Sequence, residues 1–443
     1  MAVAFDPAVL APDPGPRADV LAVLGGALAA ADPAAAVRRG LRRRGGLLLI
    51  GGARVHLPRG RVVVLGLGKA AVGMAGAALE ALEGVEVTGA IAVPAATGPV
   101  GPLQVMPGGH PSPDAGSLAA GRRLLELAEE VGADDLVLVL ISGGGSALAE
   151  VPAAGLTLED LTETNTALLR SGAPITAVNT VRRHLSALKG GRLAEAVAPG
   201  RLATLVVSDV VGSPLAAIAG GTTVPDPTTY ADALGILEEG GITVPRAVLA
   251  VLRQGAEGRR PETPKGGPAF AGPVVVVADG AAAARGAAEA AAVRGIAARV
   301  CSTTAEGEAR LVGARLGEAA RRLAPGEMEI SAGETTVTIA GEGKGGRNQE
   351  VALAAGIALA GDAGGPLVAS FATDGVDGPT DAAGGIGDAG TMGRGPARGF
   401  DAAACLAAND SYRYLAAAGD LLRCGPTGTN VGDVMLAYRP KRA

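Results

Sequence analysis

The chain has 443 residues, of which 39 are Lys or Arg and 44 are Asp or Glu, so its formal net charge is −5 at pH 7. This balance lacks the basic excess that binding to nucleic acid normally needs. The three cysteines show no CxxC spacing and the three histidines are scattered, which argues against a zinc site and a disulfide framework. A chain of this length is expected to form two domains.

The amino terminus has neither the basic start nor the continuous apolar core of a secretory signal, and no segment supplies about 18 uninterrupted apolar residues. We therefore expect a cytoplasmic protein without a membrane partner. The 70 glycines are about twice the usual share. Because they follow no collagen period, they are expected in turns and loops of folded domains. The sequence leaves open whether the chain forms a homo-oligomer.

Strands that alternate with helices predict a parallel, doubly wound sheet in the first part of the chain. An alanine-rich pattern from Ala18 to Leu49 predicts a helix with a solvated basic face. Ligands bind doubly wound sheets beyond the carboxyl ends of the strands, where this chain places its glycine loops. The predicted strands lie at 61–67, 87–93, 136–141 and 202–207, with a helix at 118–131 between the second and third.

The segment 257–273 mixes Pro, Gly and charge without apolar periodicity, and we predict it to be a linker. The predicted domains are thus 1–260 and 270–443. The overall prediction is an α/β protein with a Rossmann-like, doubly wound amino-terminal domain and a carboxy-terminal α/β domain with a mixed sheet. The second domain is predicted to contain strands at 274–278, 296–300, 334–341 and 366–375 and helices at 281–294, 305–323 and 348–359.

The strand at 136–141 runs straight into a glycine-rich loop, Ser142, Gly143, Gly144, Gly145 and Ser146. Glycine lets backbone N–H groups close on an oxyanion without interference from a Cβ, and a helix start adds the helix dipole. No GxxxxGK[ST] motif occurs, so the chain is not a P-loop enzyme. We predict that these five residues cradle phosphate through their amides and the two hydroxyls. The alternative is a strand-end turn with a helix-capping serine.

Lys69 follows the first predicted strand, in a turn where Gly66, Gly68 and Ala71 have the GxGxxA spacing of a dinucleotide fold. The next strand ends without the acid that would hold a ribose, so this spacing is a weak signal. An ammonium at a helix start is favourable if a bound anion neutralises it. A surface lysine on a tight turn explains the stretch equally well.

Two aspartates at strand ends are further candidates. Asp209 follows LATLVVSD, and a carboxylate there is a natural Mg²⁺ ligand or base, with turn formation as the competing interpretation. Asp374, Asp377 and Asp381 are spaced i, i+3 and i+7, unlike a calcium-binding EF-hand loop. Of these three, Asp374 is predicted to bind ligand because it stands at the end of a strand.

Three further segments carry open alternatives. Asp114 is predicted to cap a helix, and His110, in the proline-stiffened GGHPSPD, either touches substrate or is structural. The basic segment 175–194 is either a solvated helix face or a cationic rim for an acidic substrate. The loop CGPTGTNVGD suggests a lining for a small polar ligand.

Arg347 lies with Lys344 among the glycines of GEGKGGRNQE. Its guanidinium is planar and permanently charged, and it matches a carboxylate or a phosphate with two parallel hydrogen bonds. We therefore predict that Arg347 binds an anionic substrate.

These motifs occur in an order that resembles class II glycerate kinases, the glycerate 2-kinase family, whose members are often labelled hydroxypyruvate reductases. The matching motifs are LGLGKAA, GGHPSPD, LISGGGSAL, NTVRRHLSALKGG, SDVVGSPL, ETTVTIAGEGKGGRNQE, ATDGVDGPTDAAG and GPTGTNVGD. The resemblance implies ATP-dependent phosphorylation of D-glycerate on its 2-hydroxyl, with Mg²⁺, in a cleft between two domains. It also implies that Lys69 and Arg347 are catalytic.

An NAD(P)H-dependent hydroxypyruvate reductase is the alternative, and it would use the GxGxxA turn for a dinucleotide. The chain departs from the family pattern at Ser213, where relatives more often carry an acid, and from Ala219, where AGGTTVPD replaces a more usual ASGPTxPD. Both departures lie near the implied phosphate or nucleotide region.

Overall fold

The computed structural model describes residues 3–362, 364–395 and 399–441. The chain divides into two compact units, one of residues 33–277 and one that combines the amino-terminal segment up to Asp32 with residues 278–443. Helix α1 (Pro14–Ala31) joins the second unit because it packs along the helix Gly280–Val293. Glycines make this close approach of two helices feasible: a Cβ on Gly26 would lie 2.7 Å from the Gly286 carbonyl oxygen.

The unit of residues 33–277 is built around a sheet that is covered by helices. Its elements in chain order are α2 (Pro33–Gly40), β1 (Leu41–Arg44), β2 (Leu47–Ile50), β3 (Ala53–His56), β4 (Val62–Leu67), α3 (Ala71–Ala81), β5 (Val87–Val93), β6 (Gln104–Pro107), α4 (Ala115–Glu129), β7 (Leu136–Ile141), α5 (Gly145–Leu148), α6 (Leu158–Arg170), α7 (Ile175–His184), α8 (Arg192–Ala196), β8 (Arg201–Val207), α9 (Tyr230–Glu239), α10 (Arg246–Ala256) and β9 (Val274–Ala278).

The strand order of the main sheet is β6-β5-β4-β7-β8-β9, and β4 to β8 pair in parallel. Counted along the chain this order is 3-2-1-4-5-6, which is that of doubly wound sheets. The predicted fold of this part is confirmed. Every residue of β4 and β7 is buried, as expected for central strands that have helices on both faces.

The helix predicted from Ala18 to Leu49 is wrong beyond Gly40. The helix is interrupted at Asp32, and the second helix, α2, ends at Gly40. The chain then forms an antiparallel hairpin, in which β1 pairs with β2 around a turn at 45–46. Leu48 and Ile50 are buried while their neighbours are half-exposed, which is the period of two of a strand. The arginines of this region are exposed, so their prediction as solvated residues is confirmed.

The segment predicted as a linker, 257–273, lies inside the unit of residues 33–277. Its backbone approaches strand β8 so closely that a Cβ on Gly272 would lie 1.7 Å from the Leu202 carbonyl oxygen. Phe270, in a short 3₁₀ turn, packs against the core of the parallel sheet. The segment is irregular because it follows the surface of the sheet and not because it joins two units.

The second unit contains a mixed sheet with flanking helices, as predicted. Its further elements are α11 (Gly280–Val293), β10 (Ala297–Glu308), α12 (Ala309–Arg322), β11 (Glu327–Thr336), α13 (Arg347–Leu359), β12 (Leu367–Ala372), β13 (Gly384–Asp388), α14 (Thr391–Arg394), α15 (Ala402–Ala407), α16 (Ser411–Ala418), β14 (Leu421–Leu422) and β15 (Asp433–Arg439).

The order of this sheet is β10-β11-β15-β12-β13-β14, in which only β10 and β11 pair in parallel among the described strands. The boundaries of two elements differ from those predicted. The helix predicted from Ala305 begins at Ala309, because β10 extends to Glu308, and the strand predicted at 334–341 ends at Thr336 and starts at Glu327. No single helix in the described part of the chain is long and apolar enough to cross a membrane, and α1 and α2 pass that test only as a pair.

A buried ionic cluster anchors α1 within the second unit. Arg17 is fully buried, and its Nη2 lies 2.6 Å from Asp388 Oδ2 and 2.5 Å from Asp420 Oδ1. Its Nη1 donates a hydrogen bond to the carbonyl oxygen of Val9. Arg394 contacts the same two carboxylates. Removal of one partner from such a cluster leaves a buried charge without compensation.

We expect Arg17→Met to lower the free energy of unfolding by about 3–5 kcal/mol, measured by urea denaturation. The matched control is Arg299→Met, which removes a side chain that is 65% exposed and pairs with Glu329. This control is expected to cost less than about 1 kcal/mol. Equal effects of the two substitutions would show that the cluster does not anchor α1.

Candidate active site

Three glycine-rich loops meet at the carboxyl edge of the parallel sheet, because they follow the neighbouring strands β4, β7 and β8. The Lys69 N–H donates to the Gly143 carbonyl oxygen at 2.9 Å, and the Ala70 N–H donates to Ser142 Oγ at 3.0 Å. The Asp209 carboxylate packs against Gly143. The structure thus brings together the lysine, the serine–glycine loop and the strand-end aspartate that the sequence singled out separately.

Two glycines make this meeting of loops sterically feasible. A Cβ on Gly68, whose φ is +130°, would lie 2.2 Å from Ser142 Oγ. A Cβ on Gly143 would lie 2.0 Å from Asp209 Oδ2. Because real Cβ atoms do not approach other heavy atoms so closely, larger residues would force the loops apart.

Some backbone N–H groups of the serine–glycine loop donate hydrogen bonds within the protein, and others do not. The Ser142 N–H donates to the Leu67 carbonyl oxygen, and the Gly145 N–H donates to the Ser142 carbonyl oxygen. Within the described residues, the N–H groups of Gly143 and Gly144 donate to no protein atom. Helix α5 has only four residues, so its dipole is small. An anion here would therefore be held by individual amides and by the exposed Lys69.

The two serines of the loop differ. Ser142 is 2% exposed and its Oγ accepts the Ala70 N–H, so it joins two loops. Ser146 is half-buried and is the serine with the freer access to solvent. The predicted phosphate contact by both hydroxyls stays a prediction, and the geometry favours Ser146 for it.

His110 lies beside this loop, which the sequence left undecided. A Cβ on Gly144 would be 3.0 Å from His110 Cδ2 and 3.3 Å from Lys69 Cγ. Asp114 caps α4 as predicted, and it also accepts the Gly109 N–H, which holds the histidine loop in place. Burial lowers the pKa of His110, and the positive charge of Lys69 lowers it further. Both effects favour the neutral form of the imidazole.

A buried ion pair includes a residue that lies close in sequence to the serine–glycine loop 142–146. Lys189 pairs with Glu150, which follows α5, and both side chains are 1% exposed. The Gly190 N–H donates to the Gly220 carbonyl oxygen at 3.0 Å, beside Ala219, whose methyl group packs against Gly145. In this part of the chain, the departure from the family pattern at Ala219 thus contacts the predicted phosphate loop.

In the basic segment 175–194, three basic side chains are buried, so they form neither a solvated helix face nor a cationic rim. These are Arg183, His184 and Lys189. Arg183 pairs with Asp226, and its side chain is 7% exposed. His184 is fully buried, with Nδ1 at 2.8 Å from the Thr180 carbonyl oxygen. Lys189 is buried as described above. These side chains stabilise the interior of the unit through contacts with buried acids and a backbone carbonyl group.

Arg347 begins α13 in the second unit and is oriented by a carboxylate that sequence reasoning missed. Its Nε lies 2.6 Å from Asp433 Oδ2 and its Nη2 lies 3.0 Å from Asp433 Oδ1. Its Nη1 lies 2.9 Å from Glu334 Oε1. Asp433 is 1% exposed at the start of β15. Its signal in the sequence is the acid at the end of GPTGTNVGD, a motif whose hydroxyl groups were instead predicted to line a ligand site.

The aspartates after β12 differ in their local contacts, and ligand binding by Asp374 stays a prediction. Asp374 is half-buried and accepts the Val376 N–H at 3.1 Å, so its side chain closes a turn. Asp377 is 2% exposed and accepts the backbone N–H groups of Asn348 and Gln349, which caps α13 next to Arg347. Burial raises the pKa of Asp377 to about 6, although these hydrogen bonds act in the opposite direction.

The loop at 424–433 is held together by its own hydroxyls. Thr427 Oγ1 donates to the Thr373 carbonyl oxygen at 2.5 Å, and Thr429 Oγ1 donates to the Ala31 carbonyl oxygen at 2.7 Å. These hydroxyls are thus used to fix the loop that carries Asp433, and a ligand-lining role for them is not favoured.

Magnesium could be held by Asp209. The described residues contain no group of three or more His, Cys, Asp or Glu side chains arranged to hold a metal ion. Mg²⁺ in phosphoryl-transfer sites commonly uses one or two carboxylates and completes its shell with substrate phosphates and water. A single carboxylate beside a predicted phosphate loop fits that mode, and Asp209 packs directly against Gly143.

Comparison with known proteins identifies the relationship. The family "Domain of unknown function (DUF4147)" matches residues 19–253, and the "MOFRL family" matches residues 327–433. D-glycerate 2-kinase of Thermotoga maritima is 42% identical over 392 residues, which cover 85% of this chain and 90% of that protein. The chain belongs to the glycerate 2-kinase family. Glycerate 2-kinase of Pyrococcus horikoshii is 39% identical over 427 residues, covering 94% of this chain and 96% of that protein.

The fold of the family is the same. The crystal structure of a glycerate kinase from Thermotoga maritima superposes with a TM-score of 0.84 at 36% sequence identity, covering 96% of this chain and 100% of that one. The resemblance inferred from the ordered motifs is therefore confirmed, as is the α/β fold class.

The two serines of the serine–glycine loop differ in their expected effects on stability. We expect Ser142→Ala to lower the free energy of unfolding by about 1–2 kcal/mol, because the buried Ala70 N–H loses its acceptor. Ser146→Ala, the matched control in the same loop, is expected to stay within about 0.5 kcal/mol of the parent. Thermal or urea unfolding of both variants measures the difference, and the reverse order would contradict the geometry.

The proximity of Lys69 to His110 predicts a coupled titration. Because the ammonium disfavours a protonated imidazole, we expect Lys69→Met to raise the pKa of His110 in the ligand-free protein. The remaining effect of burial should keep it below the ordinary value. NMR titration of the imidazole protons, assigned with His110→Gln, measures this change. A His110 pKa that is identical in both proteins would place Lys69 away from the histidine.

Proposed function

We propose that this chain transfers a phosphoryl group from ATP to the 2-hydroxyl of D-glycerate and forms 2-phosphoglycerate. The observation that carries the proposal is the meeting of Lys69, the Gly143 and Gly144 amides and Asp209 at one edge of the parallel sheet. This arrangement suits polyphosphate, and two relatives, 42% and 39% identical, are named glycerate 2-kinases. A cytoplasmic location, the lack of nucleic-acid and membrane partners and any homo-oligomer remain proposals from composition.

Phosphoryl transfer depends on alignment and charge neutralisation more than on covalent chemistry by the protein. In the proposed site, the Lys69 ammonium and the amides of the loop 142–146 bind phosphate oxygens. Mg²⁺ held by Asp209 supplies further neutralisation of phosphate charge when it is bound. Arg347, held in one orientation by Asp433, stabilises negative charge on the transferring group.

The 2-hydroxyl must lose a proton as it attacks the phosphorus. Asp209 either holds the metal or accepts this proton. His110 is a second candidate acceptor, because burial and Lys69 keep its imidazole neutral. Asp374 remains a proposed nucleotide contact, and one of its carboxylate oxygens accepts the Val376 N–H.

The alternative of an NAD(P)H-dependent hydroxypyruvate reductase is not favoured. Strand β5, the second strand of the sheet, ends at Val93 and is followed by Pro94 and Ala95, so the acid that holds the ribose in dinucleotide sites is lacking there. The relatives from Thermotoga maritima and Pyrococcus horikoshii are kinases by name, whereas relatives from Agrobacterium vitis carry the provisional name "Putative hydroxypyruvate reductase".

The reaction can be tested directly. Incubation of the protein with D-glycerate, ATP and Mg²⁺ is expected to yield phosphoglycerate whose phosphorus couples to the C2 proton in a ¹H–³¹P correlation spectrum. Coupling to the C3 protons would instead show phosphorylation of the other hydroxyl. Oxidation of NADH on addition of hydroxypyruvate, with no phosphoglycerate formed, would establish the reductase.

We expect Lys69→Ala and Arg347→Ala each to lower kcat by about 10²–10³, which is typical for loss of one preorganised electrostatic contact. Lys344→Ala is the matched control for Arg347, since it lies in the same glycine loop but its ammonium stacks on Tyr412 at 4.4 Å. Near-normal turnover in a folded Lys69 or Arg347 variant would remove that residue from the proposed site.

A further inference from the structure

A cavity of about 520 Å³ lies beside Arg347, entirely within the second unit. Its walls come from the end of β11, the glycine loop before α13 and the turn after Asp377. The lining residues that matter here are Thr335, Val337, Ile339, Glu350 and Pro379. A cavity of this size is in the range that holds drug-sized ligands, about 300–1,000 Å³. It is much larger than a three-carbon acid requires.

Two buried polar groups in this wall have no hydrogen-bond partner for one of their oxygens among the described residues. Thr335 is 3% exposed and its Oγ1 is unpartnered. Glu350 is 1% exposed, and its Oε1 accepts a hydrogen bond from Asn409 Nδ2 at 2.7 Å. Its Oε2 lies 3.7 Å from Arg310 Nη2 but accepts no hydrogen bond. Buried polar atoms are rarely left in this state. A ligand with hydrogen-bond donors would satisfy both.

The charge of the cavity selects against anions. Three carboxylates line it, those of Glu334, Glu350 and Asp377. Arg347 pairs with Glu334 and with Asp433, and Arg310 Nη2 lies 3.7 Å from Glu350 Oε2. The three lining carboxylates and Asp433 outnumber these two guanidinium groups, so a carboxylate or phosphate placed deep in the cavity would meet an excess of like charge. An uncharged group that donates hydrogen bonds meets acceptors instead.

The cavity also offers an apolar surface without aromatic residues. Val337, Ile339 and Pro379 contribute to its lining, and Ile339 is 81% exposed. Its side chain therefore offers aliphatic surface to a ligand in the cavity. The whole chain contains no Trp, four Tyr and four Phe, so a planar ring bound by this protein must rest largely on aliphatic groups.

We propose that this cavity binds the nucleoside part of ATP. The hydroxyl and amino groups of the nucleoside donate hydrogen bonds toward Glu350 and Thr335, and the base packs on Ile339 and Pro379. The triphosphate then leaves the acidic wall and extends toward Arg347 at its edge. The inference rests on the proposed function, because that function makes a nucleotide a substrate of this chain.

Binding of fragments tests the proposal without relying on turnover. Calorimetric titrations of the full chain with adenosine, inorganic tripolyphosphate and D-glycerate separate the three parts of the reaction mixture. We expect Ile339→Ala to weaken adenosine binding about three- to fivefold, because it removes exposed aliphatic surface from the cavity. Leu311→Ala, which removes an exposed leucine on α12 outside the lining, is the matched control and should change nothing.

A second pair of variants tests the polar contact. Thr335→Val removes the hydroxyl at constant shape and should weaken adenosine and ATP binding about tenfold, with tripolyphosphate and D-glycerate within twofold of the parent. Thr335→Ser keeps the hydroxyl and should bind adenosine like the parent. In steady-state assays, the KM for ATP should rise in Thr335→Val while the KM for D-glycerate stays constant.

The outcomes distinguish this proposal from the function on which it rests. If the parent forms phosphoglycerate but Ile339→Ala and Thr335→Val bind adenosine normally, the nucleoside lies elsewhere and the inference is overturned. Loss of D-glycerate affinity in these variants would make the cavity the acceptor site and also overturn it. If adenosine binding is lost as expected but the parent forms no phosphoglycerate, the cavity assignment stands and the kinase function fails.

Discussion

The contact between backbones at the carboxyl edge of the parallel sheet is the constraint on which the proposed phosphate site depends. The loops after β4 and β7 are joined by the Lys69 N–H to Gly143 bond and by Ser142 Oγ. Asp209, after β8, reaches Gly143 only because that residue lacks a Cβ. The glycines thus act less as flexible hinges than as spaces that let an ammonium, two amides and a carboxylate approach one point.

The two cations that the family resemblance implicates are controlled in different ways. Lys69 is exposed and lies beside a histidine that its charge helps to keep neutral. Arg347 is held by the buried Asp433 through two parallel hydrogen bonds, which fixes the plane of the guanidinium. Asp377 caps the helix that Arg347 begins. A lysine can follow a moving phosphate on its flexible stem, whereas this arginine offers one preset direction.

Much of the architecture could be predicted from local patterns. The strands 87–93 and 136–141 agree with the structure residue for residue, and the helix from Asn348 differs by one residue. Continuous apolar runs bounded by glycine are strong signals because central parallel strands are buried on both faces. The hairpin at 41–50 was missed because three arginines and an alanine-rich approach resemble a helix, while its alternation is short. Pairing with a neighbouring strand, which no local pattern encodes, decided its structure.

The sequence by itself determined the family, the alternation of strands and helices, and the residue types of the candidate site, because ordered motifs and hydrophobic periods are local properties of the chain. Only the tertiary structure decided which of these residues have partners. Asp433 is distant from Arg347 in the chain but holds its guanidinium, and the basic residues around 183–189 are buried against acids from other segments. The cavity beside Thr335 and Glu350 likewise arises from segments far apart in sequence. Ion pairing and enclosure depend on distances in space, which the order of residues does not specify.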